Sequence, residues 1–190
     1  MTEFTHRLAT PADIPALTVL MDAAIAELQQ GFLSPEQIAA SRMIMGIDTQ
    51  LIADGCYFVV EDPVAGALVG SGGWSPRATL YGGDHSPGRD AARLDPARDA
   101  ARVRAMYTHP GYARRGIGKL ILQLCEGAAA EAGFLKVELM GTMSGEPLYR
   151  ACGYVPLERI EDARGGAPVP LVRMGKALAP TAVLAHDPQP

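Results

Sequence analysis

The amino-acid sequence predicts an α/β fold, a mixed and mostly antiparallel sheet flanked by helices, and three observations carry that expectation. Apolar residues between Ile14 and Leu28 recur at three-to-four spacing, the mark of a helix that buries one face. From Cys56 the pattern turns to short β-rich runs, CYFVVE and ALVGSGGW, separated by the turn-forming Asp62-Pro63-Val64-Ala65-Gly66. Further on, Ala101–Thr108 reads as a strand that enters a Gly-containing turn, an amphipathic helix and another strand. Such a strand-turn-helix-strand unit set among antiparallel strands yields a mixed sheet.

Taken in order, Phe4–Leu8 forms a short first strand, and Thr10-Pro11-Ala12-Asp13 starts a helix with a Thr cap, a proline at the first helical position and an acid in the first turn. Its buried face comprises Ile14, Leu17, Leu20, Met21, Ala24, Ile25 and Leu28. Ser34-Pro35-Glu36-Gln37 has the capping-box pattern and opens a second helix. The two β-rich runs pair antiparallel. Residues 75–100 hold Pro76, Gly82, Gly83, Pro87, Gly88 and Pro96 among charges of both signs, which predicts a long loop bordering a site. After the strand Ala101–Thr108 and the break at His109-Pro110-Gly111, a helix is expected from Arg115 to Ala132, with Ile117, Leu120, Ile121, Leu124 and Ala128 on one stripe and Gly133 at its end. A strand at Leu135–Met140, a short helix over Glu146–Cys152, a strand near Tyr154–Pro156 and a last strand at Val169–Met174 complete the order. Residues 1–176 are expected to form one domain and 177–190 a Pro- and Ala-rich tail.

The 190 residues suit a single core, and 48% hydrophobic with 20% charged residues describes a soluble globular chain rather than a disordered or fibrous one. A formal net charge of −4 excludes a domain-wide basic face for nucleic acid, so any anion site must be local. Cys56, Cys125 and Cys152 are odd in number and lack a CxxC pair, which predicts reduced, buried thiols rather than disulfides or zinc ligands. His6, His85 and His186 share no metal-like spacing with carboxylates or cysteines, His109 with Pro110 reads as a strand termination, and no metal is expected. No signal-peptide core and no apolar stretch approaching the ~20 residues of a membrane span occur, so the cytoplasm is the expected compartment, without membrane attachment.

The informative segment is Val103–Lys119. Where a strand turns directly into a helix, the first helical N–H groups lack intrahelical acceptors and converge, with the positive end of the helix dipole, on one spot suited to a pyrophosphate. Gly116 and Gly118 permit close approach, and Arg114, Arg115 and Lys119 add positive charge. A nucleotide P-loop is excluded because Leu120 follows Lys119 where Ser or Thr is required. The dinucleotide fingerprint fails because its third glycine is replaced by Ile121. On loop chemistry alone, an anion cradle and a purely structural turn both remain open.

Ala113–Gly118 resembles the acyl-CoA-binding loop of the GNAT superfamily, Gln/Arg-x-x-Gly-x-Gly/Ala, with Ala113 departing at the first position. Pro147-Leu148-Tyr149-Arg150-Ala151-Cys152-Gly153-Tyr154 is similar to the same family's Leu-Tyr-x-x-x-Gly-Phe/Tyr segment, and residues 4–175 follow its element order. The resemblance implies a GNAT-like sheet in which the strand ending near Thr108 and the strand Leu135–Met140 form a splayed parallel pair. Acetyl-CoA, as co-substrate, would insert between them. Pantetheine would pair with the backbone of Met106 and Thr108, and an N–H near Tyr107–Thr108 would stabilise the oxyanion. The pyrophosphate would rest on Arg114, Arg115, Gly116, Ile117, Gly118 and Lys119. Thr142 stands where the family often has Asn and keeps a hydroxyl for the cofactor. Tyr149 matches the tyrosine that protonates the departing thiolate, a role open to a phenol of ordinary pKa about 10.

On the acceptor side, Glu27 near the end of the first helix is a candidate general base, ahead of Glu61 and Glu138, because that region lines the family's acceptor cleft. Trp74 at a strand end is a candidate wall of the acceptor pocket, with core packing the alternative. Tyr154 is expected in the core, and Tyr107 and Tyr112 in the cleft wall or in packing. The function implied is N-acetyl transfer to a primary amine, on a small molecule or a peptide, by direct attack in a ternary complex. No nucleic-acid partner is implied, and a homodimer is left open. The alternative on the same fold is a non-catalytic acyl-CoA sensor or interaction module.

Overall fold

The computed structural model describes residues 4–179. Strand β1 (Thr5–Leu8) leads through a 3₁₀ turn into α1 (Ile14–Leu28), followed by α2 (Pro35–Ile44) and α3 (Thr49–Ala53). Strands β2 (Tyr57–Asp62), β3 (Ala67–Ser75) and β4 (Ala101–Thr108) come next, then α4 (Ile117–Glu131), β5 (Lys136–Thr142), α5 (Glu146–Ala151), β6 (Val155–Asp162) and β7 (Val169–Ala177). The strands form one seven-stranded sheet in the order β1-β2-β3-β4-β5-β7-β6. Every neighbouring pair is antiparallel except β4 and β5, which run parallel.

Ser34 and Gln37 close a reciprocal capping box at α2, and ahead of α1 the Asp13 carboxylate accepts from Thr10 N at 2.7 Å and from its hydroxyl at 3.0 Å. Alternation along β2 serves two cores. Tyr57 and Val59 pack with Leu17 and Leu51 on the α1 face, whereas Phe58 and Val60 pack on the α4 face. On that second face α4 lies directly on β3. A Cβ built on Gly70 would stand 2.4 Å from Ile117 Cγ2, and one on Gly72 would stand 2.4 Å from Ile121 Cγ2, so the paired glycines make the hollow that receives the helix.

Several elements differ from the sequence expectation. Helix α4 begins at Ile117 rather than Arg115, because Arg114 and Gly116 take φ of +60° and +86°, which no helix accommodates. The five-residue α3 was not expected; the carboxylate of Asp48 caps it by accepting from Gln50 N at 3.1 Å. Strand β6 continues through Glu158–Asp162, well beyond Pro156, and β7 reaches Ala177. Being an edge strand exposed along most of its length, β6 needs no apolar alternation. Residues 180–190 of the expected tail, His186 included, lie outside the described residues. No described helix is long and apolar enough to cross a membrane.

The feature that positions the site is the parting of β4 from β5. The two strands pair only at Ala101–Val137, Arg102–Glu138 and Val103–Leu139. Beyond these, β4 bulges: between Ser71 and Gly73 of β3 its register slips, and Ala105 takes a left-handed φ of +50°. Val103 and Met106, three apart, therefore share the α4 face, while Ala105 and Tyr107 pack toward α1. Past the bulge the facing edges of β4 and β5 lack each other as ladder partners, which leaves a gap lined by backbone polar groups.

Candidate active site

At the end of β4 the chain makes a 3₁₀ turn, Pro110–Tyr112, held by His109, whose Nδ1 accepts from Gly111 N at 3.1 Å. From there it reaches Gly116, the left-handed N-cap of α4, which offers no side chain to cap the helix. Leu120 N is the first amide to bond back, to Gly116 O at 3.0 Å. The N–H groups of Arg114 through Lys119 find no acceptor among the described residues, and they crowd the positive end of a 15-residue helix. This is an anion cradle made of backbone.

The cradle opens into a groove of about 530 Å³ that runs along the unpaired edge of β4, between Thr108 and α5. Arg114, Gly116, Ile117, Gly118 and Lys119 line its cradle end; Met106, Tyr107, Thr108, Thr142 and Tyr149 line the other. A second, smaller space of about 90 Å³ lies in front, between the β4–β5 gap and the loop after β3. The two meet at Met45, Met106, Tyr107, Thr142 and Tyr149, which line both.

Tyr149 sits in the first turns of α5, tied by its N–H to Gly145 O at 3.2 Å. Its ring fills the space beside Gly141 and Gly145, where an added Cβ would lie 2.9 Å from Cε2 in either case, and it meets Tyr154 edge to face at 6.0 Å. The packed ring leaves the residue half-buried, and burial pushes the phenol up to about 12. Thr142 shapes the same corner: its hydroxyl accepts from Gly145 N at 3.2 Å and lies 3.1 Å from Ser144 Oγ.

Other residues named from the sequence stand elsewhere. The Arg115 guanidinium packs over the rings of Tyr112 and Phe4, 4.6 and 4.9 Å from their centroids, and its residue is not among those lining the groove. Glu27 is exposed on the last turn of α1 and lines neither space. Trp74 is 8% exposed and packs against Phe134 in the α4-side core, its centroid 6.1 Å away, so the structure does not bring it to the cleft either. Glu138 is engaged by Arg102 and Arg173 at 2.6 and 2.7 Å, and Glu61 by Arg7 at 2.8 Å.

The structure adds residues that sequence reasoning did not single out. Gln29 and Phe32 in the α1–α2 connection and Met45 at the end of α2 wall the groove. Tyr81 and Arg104 line the front space, together with the apolar Ile44, Leu80, Leu139 and Leu171. Arg104 is 5% exposed; its Nη1 approaches the fully buried Asp48 Oδ2 at 2.5 Å, and its Nη2 donates to Gly82 O at 2.7 Å. A buried arginine within a strand signals from sequence that some acid must lie near it, but not which one. Among the described residues no group of three or more His, Cys, Asp or Glu is placed to hold a metal ion.

Residues 53–156, more than half of the chain, match the family model for an acetyltransferase (GNAT) domain. Among solved structures, the chain is similar to a GCN5-related N-acetyltransferase from Rhodopseudomonas palustris, with 20% identity and a TM-score of 0.67 over 94% of this chain and 98% of that one. It is also similar to yncA from Salmonella typhimurium with its cofactor acetyl-CoA, at 17% identity and TM-score 0.61, covering 94% and 96%. A third, the ribosomal-protein-alanine N-acetyltransferase from Brucella melitensis, has 20% identity and TM-score 0.60 over 92% and 99%. At these identities the likeness speaks for the fold. No curated protein matches the chain significantly.

Proposed function

The chain belongs to the GNAT acetyltransferase family, and from that premise we propose that it transfers acetyl from acetyl-CoA to a primary amine by direct attack in a ternary complex. The observation that carries this reading is the junction of the two spaces: an anion cradle at one end of a groove, a small chamber in front, and Tyr149 lining both where they meet. The amides of Arg114–Lys119 suit the pyrophosphate of acetyl-CoA, with Arg114 and Lys119 adding charge at the groove wall. The unpaired edge of β4 at Met106–Thr108 offers backbone groups to the pantetheine amides, so that the co-substrate occupies the place of a missing strand. The co-substrate's thioester supplies an activated acyl carbon at the junction. Acetyl-CoA in the Salmonella neighbour supports this choice of ligand.

In this reading the amine nitrogen forms a bond to the thioester carbon, and an amide in the Tyr107–Thr108 segment stabilises the developing oxyanion. As the C–S bond breaks, the phenol of Tyr149 gives its proton to the leaving sulfur and is reprotonated from water. The surplus proton of the attacking amine leaves to solvent, because among the described residues no Asp, Glu or His lines either space. Positioning and charge stabilisation do most of the work, with no covalent enzyme intermediate.

The test is release of free CoA thiol from acetyl-CoA in the presence of a panel of primary amines, beside calorimetric titration with CoA. Amine-dependent thiol release supports the reading. Tight CoA binding with no release for any amine overturns catalysis and favours an acyl-CoA sensor. Failure to bind CoA overturns the site.

A further inference from the structure

The charge inventory of the front chamber is lopsided. Its lining is largely apolar, and among the described residues it contains no acid and one ionised side chain, Arg104. A buried guanidinium normally has its five donors matched. Here Nη2 donates to Gly82 O, and the contact of Nη1 with Asp48 Oδ2 is close but not aligned as a hydrogen bond. Nε, buried, has no partner among the described residues.

Asp48 faces Arg104 through Oδ2, which lies beside Nη1 and leaves Nε unmet, and its other oxygen is held by Arg89. Arg89 Nη2 donates to Asp48 Oδ1 at 2.6 Å, so one fully buried carboxylate serves two guanidinium groups. Asp84 joins the cluster only from the exposed rim, 3.1 Å from Arg89 Nη1. Burial accordingly lowers the Arg104 pKa, with Asp48 opposing the shift and Arg89 reinforcing it. A cation that shares its one buried carboxylate and keeps an unmatched donor at the wall of a cavity can take a further acceptor there.

We propose that the unmatched donor meets the acceptor's own carboxylate: Arg104 reads a carboxylate, and the preferred acceptors are small primary amines that carry one a few bonds from the nitrogen. This rests on the acetyltransferase reading of the same site. The planar guanidinium fork suits a carboxylate, and a chamber of about 90 Å³ admits that group with a short apolar side chain against Ile44, Leu80 and Leu171. Tyr149 lines the same chamber, so an amine a few bonds from Arg104 lies within reach of the junction. The charge pattern also selects against polyamines and other acceptors with a second ammonium group, for which neither space offers an acid.

The experiment compares amines matched except for the carboxylate: alanine with ethylamine, and leucine with 3-methylbutylamine. Each is titrated calorimetrically into CoA-saturated protein, a dead-end complex in which no transfer occurs, and then assayed with acetyl-CoA. The carboxylated member of each pair is expected to bind about ten- to a hundredfold more tightly, the range for hydrogen bonds to a charged group. Arg104→Met should abolish that discrimination while CoA affinity is retained, because the cradle lies at the other end of the groove; a merely structural Arg104 would weaken both members of a pair equally. Equal binding within both pairs for the wild-type protein overturns the proposal, whether or not the variant folds. Carboxylate-selective binding without turnover of any amine would support the pocket and sink the acetyltransferase reading instead. Turnover of amines with no carboxylate preference would do the reverse.

Discussion

The phenol of Tyr57 donates to the carbonyl oxygen of Ala105 at 2.8 Å, and so ties β2 to the residue at which β4 leaves β5. Tyr57 is 2% exposed, and burial raises its phenol above the ordinary value, which keeps the donor protonated. The Tyr57 phenol oxygen also lies 3.1 Å from Ser71 Oγ on β3, so the tie from β2 to the bulge passes beside the strand between them.

Tyr57→Phe removes this anchor without changing the core volume much. A stability loss of about 1 kcal/mol is expected, with the Ala105 carbonyl left unpaired, and a several-fold rise in KM for acetyl-CoA as the gap loses its fixed width. Urea denaturation and steady-state kinetics measure the two effects; stability loss with unchanged KM would show that the bulge holds its shape without the tie.

Tyr149→Phe should lower kcat by about 10²–10⁴-fold and leave CoA affinity unchanged. Pre-steady-state thiol release separates this chemical effect from product release, and wild-type turnover would return Tyr149 to packing.

The pH profile follows from the same residue. A general acid works while protonated, and burial pushes this phenol up to about 12, so its proton is in place throughout the neutral and mildly alkaline range. With saturating acceptor, kcat should therefore show no downturn from Tyr149 between pH 7 and pH 10, on the order of the interval below that value. A decline centred in that interval and absent in Tyr149→Phe would contradict the shifted acid.

Gly118→Ala and Gly118→Asp separate space from charge in the cradle. A Cβ at Gly118 meets Leu148 Cδ2 at 2.7 Å, a flexible tip that can turn aside, so alanine should weaken CoA binding by no more than about fivefold. Aspartate adds an anion at the positive end of α4 and should cost at least about tenfold more. Calorimetry in which the two variants bind alike would mean that the pyrophosphate rests elsewhere.

Asp54 accepts from Arg77 Nε at 2.6 Å and Nη2 at 2.8 Å, and the guanidinium holds its carboxyl below the usual value. A depressed folded-state pKa contributes stability that is complete above the unfolded value of about 4 and is lost as pH falls through the folded one. Asp54→Asn should then cost about 1 kcal/mol at neutral pH, shrinking toward zero in acid. Urea midpoints of the two proteins at pH 7 and near pH 2–3, on the order of the carboxyl range, would expose any failure of that convergence.

Legibility from sequence followed the range of the forces involved. The α2 cap, the glycine-bearing cradle and the bounds of β4 depend on near neighbours in the chain, and they could be read directly. The bulge at Ala105 could not, because no glycine marks it and a distant tyrosine holds it. The pairing of Arg104 with Asp48 shows in sequence only as two unrelated charges, although it defines the chamber's electrostatics. The acceptor wall was missed for a related reason. Glu27 lies on a helix whose Ala24 and Leu28 do line the groove but is itself turned to solvent, whereas Trp74 lies on β3, which lines neither space, and packs in the core.

The hollow formed by Gly70 and Gly72 acts as a machinist's stop for α4. Ile117, the first residue of the helix, rests against one notch and Ile121 against the other, so the height of the first turn above the sheet is gauged by two absent methyl groups. Those same first-turn amides face the groove. Calibration of the anion cradle is thus vested in β3, whose glycines lie beneath the helix, and a single added carbon there would throw the instrument out of true while every amide of the cradle kept its chemical identity.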